Sequence, residues 1–193
     1  MSLSPNIIIE TERCKLRCTK KEDIPFIFSA TRYKGFNDGM LWDAPKNEAE
    51  LIETYKDGVT KAWHERQSYG FTICDKFNDE PLGKISIRKD LDKVWFIGFW
   101  MHPEQQGKGY MTESVKAILE LGFTTLGAER IEAFHALWNK KSENVLKAVG
   151  MNFIEYIPQG FKKKDEWVEE NKLGITEEEW SKFEELEFYS KYD

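Results

Sequence analysis

Two glycines separated by one residue, Gly107 and Gly109, stand just before a helical pattern in the segment HPEQQGKGYMTES, residues 102–114. Glycine adopts backbone angles that a Cβ forbids, and it lets another molecule approach the main chain closely. The first N–H groups of a helix have no partner within it and lie at the positive end of its dipole. The segment could therefore bind an anion such as a pyrophosphate. An ordinary strand-to-helix turn is the alternative.

Two common phosphate-binding motifs do not fit this segment. A P-loop requires Gly-x4-Gly-Lys-Ser/Thr, and the dinucleotide fingerprint requires a third glycine where this chain has Thr112. What remains is a backbone cradle, formed by N–H groups of residues 106–111 between a strand and a helix. Lys108 either adds a charge contact to that cradle or is solvated.

The elements that must position the cradle follow from hydrophobic periodicity. Cys14, Leu16 and Cys18 alternate with charged residues, which predicts a half-buried strand. Thr19 and Glu22 form a candidate capping box for the next helix, although Pro25 indicates that regular helix begins nearer Asp23. Further strands are predicted at 68–75, 80–90, 93–102, 129–137 and 152–157, and further helices at 47–65, 111–122, 140–150 and from Thr176 onward.

Strand 93–102 is apolar on both faces, which predicts a central position in one sheet. The segment 32–45 contains glycines, a proline and two exposed aromatic residues, Phe36 and Trp42, so it is predicted to be a loop that adapts to a ligand. The element order indicates an α+β fold.

Composition narrows the function classes. The chain has 193 residues with 40% hydrophobic content, which is enough for the core of one domain, and its net charge of −6 argues against a nucleic-acid binder. No apolar run reaches the roughly 20 residues that span a bilayer, and the first residues lack a secretory pattern. Three unpaired cysteines fit buried thiols in a reducing cytoplasm and predict no metal site.

Three blocks together resemble the GNAT superfamily of acetyl-CoA-dependent N-acetyltransferases, and within it the ribosomal-protein-alanine/serine (Rim-type) branch. The blocks are IETERCKLRCTKKEDI at 9–24, IGFWMHPEQQGKGYMTES at 97–114 and ALWNKKSENVLKAVGM at 136–151. The resemblance covers most of residues 7–156 and is weaker from about 160 to 193. We expect residues 1–193 to form a single acetyltransferase domain.

The resemblance implies a mixed, mainly antiparallel central sheet that is flanked by helices and splays apart after its fourth strand. The pantetheine arm of acetyl-CoA would lie in that gap, with the diphosphate on the cradle. The residues that the resemblance assigns to the cofactor are Trp100, Met101, His102, Gln106, Gly107, Lys108, Gly109, Tyr110, Met111, Asn139 and Ser142.

The resemblance also implies direct attack of an amine on the thioester, with no acyl-enzyme. Ser142 near the sulfur and His102 near the strand end are the catalytic candidates. Many relatives carry a glutamate on the fourth strand where this chain has Phe96, so the general base is open. Alternatives are His135, ordered water, or the phenols Tyr110 and Tyr156.

The acceptor amine is also open. A protein N-terminus is the first hypothesis, and an aminoglycoside, polyamine or amino acid is the second, with Phe36 and Trp42 as candidate substrate-binding residues. A catalytically silent CoA-binding protein, or an interaction protein that docks through its acidic C-terminal segment, are further alternatives. We expect no nucleic-acid or membrane partner; a homodimer is possible.

Overall fold

The computed structural model describes residues 3–55, 58–65 and 68–190, which form a mixed α+β fold. The strands of this part of the chain are β1 (Ile8–Glu10), β2 (Cys14–Cys18), β3 (Ser68–Asp75), β4 (Pro81–Leu91), β5 (Val94–Met101), β6 (Arg130–Ala136), β7 (Asn152–Lys163) and β8 (Glu166–Thr176). Its helices are α1 (Ile24–Ala30), α2 (Glu48–Tyr55), α3 (Gly58–His64), α4 (Tyr110–Thr124), α5 (Lys140–Ala148) and α6 (Glu177–Ser190). None of these described helices is long and apolar enough to cross a membrane.

All eight described strands form one sheet in the order β1-β2-β3-β4-β5-β6-β8-β7. Every neighbouring pair is antiparallel except β5 and β6, which are parallel. The central position predicted for strand 93–102 is confirmed, because β5 lies between β4 and β6.

The sheet opens between β5 and β6. These strands pair at three positions only, from Val94 opposite Arg130 to Phe96 opposite Glu132, although β5 continues to Met101 and β6 to Ala136. The predicted splay is therefore present. The strand counted fourth from the sequence is β5 in the structure, because the first predicted strand region contains both β1 and β2.

Helix α4 covers one face of the sheet beside the gap. Its residues Met111, Val115, Ile118 and Leu119 are buried, as the periodicity predicts. The prediction that this helix ends at Gly122 is wrong, since it continues to Thr124. A Cβ at Gly122 would lie 2.5 Å from Ile131 Cδ1, so this glycine allows close packing of α4 on β6.

The opposite face carries α1 and α2. A single helix over 47–65 was predicted, but α2 and α3 pack into different clusters, and residues 56 and 57 between them lie outside the described residues. Leu51 of α2 packs with α1 and Trp100, whereas Trp63 of α3 is buried against Tyr69 and Phe71 in the main core.

The entry to α1 differs from the predicted capping box of Thr19 and Glu22. Asp23 forms the box instead, because its carboxylate accepts the N–H of Lys20 at 2.8 Å. The same buried carboxylate accepts two hydrogen bonds from Arg17 and one from Thr72 Oγ1. Burial opposes ionisation, but these donors hold the pKa of Asp23 below its ordinary value.

The C-terminal segment contributes a strand that the sequence analysis missed. β8 lies between β6 and β7, and a two-residue turn at Lys164 and Asp165, both with positive φ, joins it to β7. Thr176 and Glu179 have the spacing of a capping box at the start of α6, and in the structure they exchange hydrogen bonds. Trp180 and Leu186 lie at helical spacing, but only Trp180 is buried, since Leu186 is 71% exposed.

Candidate active site

The cradle segment has the backbone that the sequence predicts. Gly107 and Gly109 have φ of 78° and 83°, in the left-handed region that favours glycine. Gly109 is the N-cap of α4, and no side chain of the described residues caps this helix end. The first N–H groups of α4 therefore remain available to an outside acceptor.

Two residues that were not predicted from the sequence, Arg13 and Glu113, contact this loop and stabilise it. Glu113, in the first turn of α4, accepts the main-chain N–H of Arg13 at 2.7 Å and the Arg13 Nε–H at 2.8 Å. Arg13 also donates to the carbonyl oxygen of Lys108 at 3.0 Å and stacks over the Tyr110 ring. Burial of the Glu113 carboxylate is outweighed by hydrogen bonds from Thr11 and Arg13, which hold its pKa below the ordinary value.

The edge of β5 that faces the gap is defined by the strand register. The N–H of His102 donates to Leu82 O of β4 at 3.0 Å. Gly98 O also lies on the β4 side, where it accepts a hydrogen bond from Ser86 Oγ. Main-chain groups of successive residues point to alternate sides of a strand. Met101 and Phe99 therefore present N–H and C=O groups to the gap. Trp100 and His102, which the resemblance assigns to the cofactor, direct their main-chain N–H groups to the β4 side instead.

Two helix N-termini meet at the mouth of the gap. Gln106 donates to Met101 O at 3.3 Å and accepts from Lys141 Nζ of α5 at 2.8 Å. Asn139 is the N-cap of α5, because its Oδ1 accepts the N–H of Ser142 at 3.2 Å. The cradle, the end of β5 and the start of α5 are thus joined directly.

The loop between α1 and α2 spans this mouth. Phe36 packs edge-on against Trp100 at 5.2 Å between ring centroids and lies 6.4 Å from Trp42. On the other side of the gap, a Cβ at Gly39 would lie 3.1 Å from the Trp138 ring. The structure therefore brings the predicted substrate residues Phe36 and Trp42 together with the predicted cofactor residue Trp100.

Lys163, at the end of β7, ties the same loop down. Its Nζ donates to the carbonyl oxygens of Met40 and Trp42 at 3.1 and 3.0 Å and pairs with Asp43 at 2.7 Å. The loop is therefore anchored to β5, to the start of α5 and to β7.

The closed end of the gap is apolar on the face that carries α1. Phe96 and Phe134 stack there with ring centroids 4.9 Å apart. Beside them Glu132 is buried, and its carboxylate pairs with Arg130 at 2.6 Å. The side chain at position 96 cannot accept a proton.

Comparison with known proteins identifies this arrangement. The acetyltransferase (GNAT) domain family matches residues 13–152, which include β5, the cradle, β6 and α5. The chain belongs to the GNAT acetyltransferases. The family match ends at Asn152, the first residue of β7, so it leaves out nearly all of the β7–β8 hairpin and α6.

One relative of this GNAT chain is the uncharacterised N-acetyltransferase YnaD of Bacillus subtilis (strain 168), 38% identical over 112 residues. That match covers 58% of this chain and 66% of YnaD, just under two thirds of its length. Among solved structures, RimL, a ribosomal L7/L12 alpha-N-protein acetyltransferase in complex with coenzyme A, superposes with a TM-score of 0.79 at 16% identity, over 88% of this chain and 98% of RimL.

A second solved structure has a different acceptor. Spermidine N-acetyltransferase from Vibrio cholerae, in complex with CoA and spermine, gives a TM-score of 0.75 at 18% identity, over 88% of this chain and 98% of that one. At these identities both likenesses show the fold alone. They do not distinguish a protein acceptor from a polyamine for this GNAT protein.

The two candidate histidines of the GNAT chain have different surroundings. His102 Nδ1 accepts the N–H of Glu104 at 3.3 Å, and its Nε2 lies 3.2 Å from Ser29 Oγ, so both ring nitrogens have partners. His135 is buried; its Nδ1 contacts Ala136 O at 2.9 Å, and its Nε2 has no partner among the described residues. Because a main-chain N–H can only donate, the contact with Glu104 places the lone pair of His102 on Nδ1.

Burial shifts the pKa values of several other ionisable groups of the GNAT chain. Burial raises the pKa of Cys14 and of Cys74 to about 11 and also raises that of Cys18. Lys84 of β4 lies opposite Trp100; burial lowers its pKa to about 8, and its Nζ donates to Tyr55 Oη at 2.7 Å. Among the further phenol candidates, Tyr156 donates to Glu169, while the Tyr110 ring lies under Arg13.

Proposed function

We propose that this protein transfers the acetyl group of acetyl-CoA to a primary amine by direct attack. The observation that carries this proposal is the alignment of the gap between β5 and β6 with the glycine cradle at the N-terminus of α4. The cradle lies next to the end of β5, because Gln106 donates to Met101 O. A molecule whose phosphates bind at the cradle can therefore extend a linear arm into the opening between β5 and β6.

The cradle supports acetyl-CoA as the cosubstrate. The N-terminus of α4 and the left-handed glycines provide N–H donors and positive potential for a diphosphate. Lys108 donates to Gln105 Oε1 at 2.7 Å, and its exposed side chain is long enough to turn toward the phosphates. Met101 and Phe99 then pair with the amides of the pantetheine arm.

The transfer proceeds without an acyl-enzyme. The amine nitrogen attacks the thioester carbon, the C–N bond forms, and the C–S bond breaks to release the CoA thiolate. The thiols support this route, because at a pKa of about 11 Cys14 and Cys74 are protonated near neutral pH and are poor nucleophiles. A gap-facing N–H of β5 stabilises the oxyanion that develops on the carbonyl.

Ser142 is proposed to relay a proton from water to the departing thiolate, so that its hydroxyl accepts one proton as it donates another. Its N–H is bound by Asn139, and its hydroxyl has no hydrogen-bond partner among the described residues. His102, the second catalytic candidate, can accept a proton only if Nδ1 releases the N–H of Glu104. We therefore propose that the amine loses its proton to ordered water, with His102 fixing the end of β5.

The acceptor enters under the loop that carries Phe36 and Trp42. The aromatic rings of Phe36, Trp42 and Trp100 suit an ammonium group by cation–π attraction, whether it belongs to a protein N-terminus or a small molecule. RimL acts on a protein and the spermidine enzyme on a polyamine, so both acceptors remain candidates for this chain. Phe96 in place of an acidic residue is the observation that favours a CoA binder without activity.

A panel assay tests these candidates. Free thiol released from acetyl-CoA is measured with N-terminal peptides, spermidine, an aminoglycoside and free amino acids. Turnover with one class identifies the acceptor, and CoA binding without turnover supports the silent binder. We further propose that residues 1–193 act as one domain in the cytoplasm, where the free cysteines remain reduced. The possible homodimer is tested by light scattering.

A further inference from the structure

We propose that Arg13 and Glu113 act as a buckle that fixes the orientation of the cradle peptides and so sets the affinity for the diphosphate of acetyl-CoA. The inference rests on the proposed function, since it concerns the same anion site. Both are positioning residues, and the predicted cofactor contacts include neither. Arg13 lies 95 residues before Lys108 in the chain, so the contact depends on the fold.

The buckle is rigid because one carboxylate holds both the backbone and the side chain of Arg13. Glu113 Oε1 accepts the Arg13 N–H, and Oε2 accepts Nε–H and an NH2 proton, each of the latter at 2.8 Å. Thr11 Oγ1 donates to the same carboxylate and also accepts the N–H of Cys14. The turn between β1 and β2 is thereby fastened to the first turn of α4.

The guanidinium in turn orients a peptide of the cradle. Arg13 NH1 donates to the carbonyl oxygen of Lys108. In a trans peptide the carbonyl and the following N–H point in opposite directions. The N–H of Gly109 is therefore directed away from Arg13. The hydrogen bond also stops the peptide between Lys108 and Gly109 from rotating, although the glycines on either side of Lys108 would allow it to rotate. A Cβ at Gly109 would lie 3.2 Å from Arg13 Nη2, so a larger residue there would displace the guanidinium.

Charge gives the buckle a second effect on the same site. The Glu113 carboxylate lies in the first turn of α4, where it would repel a bound diphosphate. Arg13 neutralises that charge, and its guanidinium packs over the Tyr110 ring at 4.8 Å. Loss of Arg13 therefore frees the peptide and exposes a negative charge, whereas loss of the Glu113 charge only loosens the geometry.

Calorimetry with CoA tests the buckle in Arg13→Gln and Glu113→Gln. We expect at least about tenfold weaker binding in R13Q, the equivalent of one charge-assisted hydrogen bond, and a smaller loss in E113Q. Lys93→Gln is the control: Lys93 is 56% exposed against 42% for Arg13, and it also pairs with a glutamate, Glu129. Its CoA affinity should stay within twofold of wild type.

Pantetheine, which lacks the diphosphate, separates positioning from general damage. We expect R13Q and wild type to bind it equally. The buckle is refuted if R13Q binds CoA within twofold of wild type, if K93Q loses as much, or if pantetheine binding falls in parallel. If R13Q does not fold, Thr11→Val removes a hydrogen bond to the same carboxylate and should weaken CoA binding about threefold; an unchanged affinity refutes the buckle. Wild-type protein that does not bind CoA contradicts the proposed function itself.

Discussion

Phe96 and Phe134 stack with an interplanar angle of 14° on the two strands between which the sheet opens. Phe96 belongs to the last pair of β5 and β6, and Phe134 lies just beyond it. Arg88 lies over one ring and Lys172 over the other. This ring pair closes the gap at the end where β5 and β6 are paired.

We expect Phe96→Ala to lower the free energy of unfolding by about 3 kcal/mol, because it leaves a cavity where a buried ring packed. Urea unfolding measures the change. Phe77→Ala is the control, since Phe77 is 83% exposed and its loss should cost less than about 0.5 kcal/mol. Equal effects of the two substitutions would show that the stacked pair contributes no packing energy.

Lys163→Met should raise the KM for the amine several-fold and leave the KM for acetyl-CoA unchanged. The lysine holds the loop carbonyls of Met40 and Trp42 but has no contact with the cradle. Steady-state kinetics with both substrates measures this. Lys162→Met is the neighbouring control, because Lys162 packs over Trp167 instead. A change in the acetyl-CoA KM alone would contradict the assignment of the loop to the acceptor.

The lowered pKa of Lys84 should make the free energy of unfolding increase with pH. Its pKa is about 8 in the folded protein against an ordinary 10.5, so between these values the unfolded chain binds more protons. Stability therefore rises with pH across that window, by about 2 kcal/mol after allowance for solvent screening. Lys84→Met should lack this rise.

The comparison of Lys84→Met with wild type is needed because cysteines and tyrosines also titrate at high pH. Unfolding free energies at pH 7 and 9.5 measure the difference. Lys89→Met, at an exposed position of the same strand, should behave as wild type. A Lys84→Met curve parallel to that of wild type would mean that Lys84 titrates normally.

His102→Gln should keep the pH profile of kcat/KM and reduce kcat less than tenfold, since both ring nitrogens already have structural partners. A general base would cost about 100-fold or more and remove the acid limb of the profile. The exposed His64→Gln is the control. His135→Gln tests the unpartnered Nε2 in the same assay; loss of the acid limb in either His102 or His135 variants would identify a histidine base.

The cradle could be predicted from sequence because its signal is local. A Gly-x-Gly pair beside a helix start already implies left-handed backbone and exposed N–H groups, and the φ values of Gly107 and Gly109 agree. The central strand was equally readable, because β5 is apolar on both faces. The roles of the individual cofactor and catalytic residues stay predictions until a ligand is tested.

The Arg13–Glu113 pair, strand β8 and the gap-facing residues of β5 could not be predicted, because they depend on long-range contacts or on an unusual turn sequence. Glu113, the partner of Arg13, lies 100 residues further along the chain, and no local sequence pattern indicates that the two residues pair. β8 was missed because its hairpin turn uses Lys164 and Asp165, whereas such turns usually contain Asn-Gly or Asp-Gly. The gap-facing residues of β5 depend on which strand edge is paired, and this is set by β4.

Calorimetric titration with CoA tests the central claim most directly, using wild type, Gly107→Val and Gly127→Val. Both glycines have positive φ, 78° and 69°, and a Cβ at either position would have no atom within 4 Å, so the two substitutions carry a similar backbone cost. The account predicts binding by wild type and Gly127→Val, and a loss of at least about tenfold in Gly107→Val. Equal affinity of the two variants, or no heat with wild type, would contradict a diphosphate site at this loop.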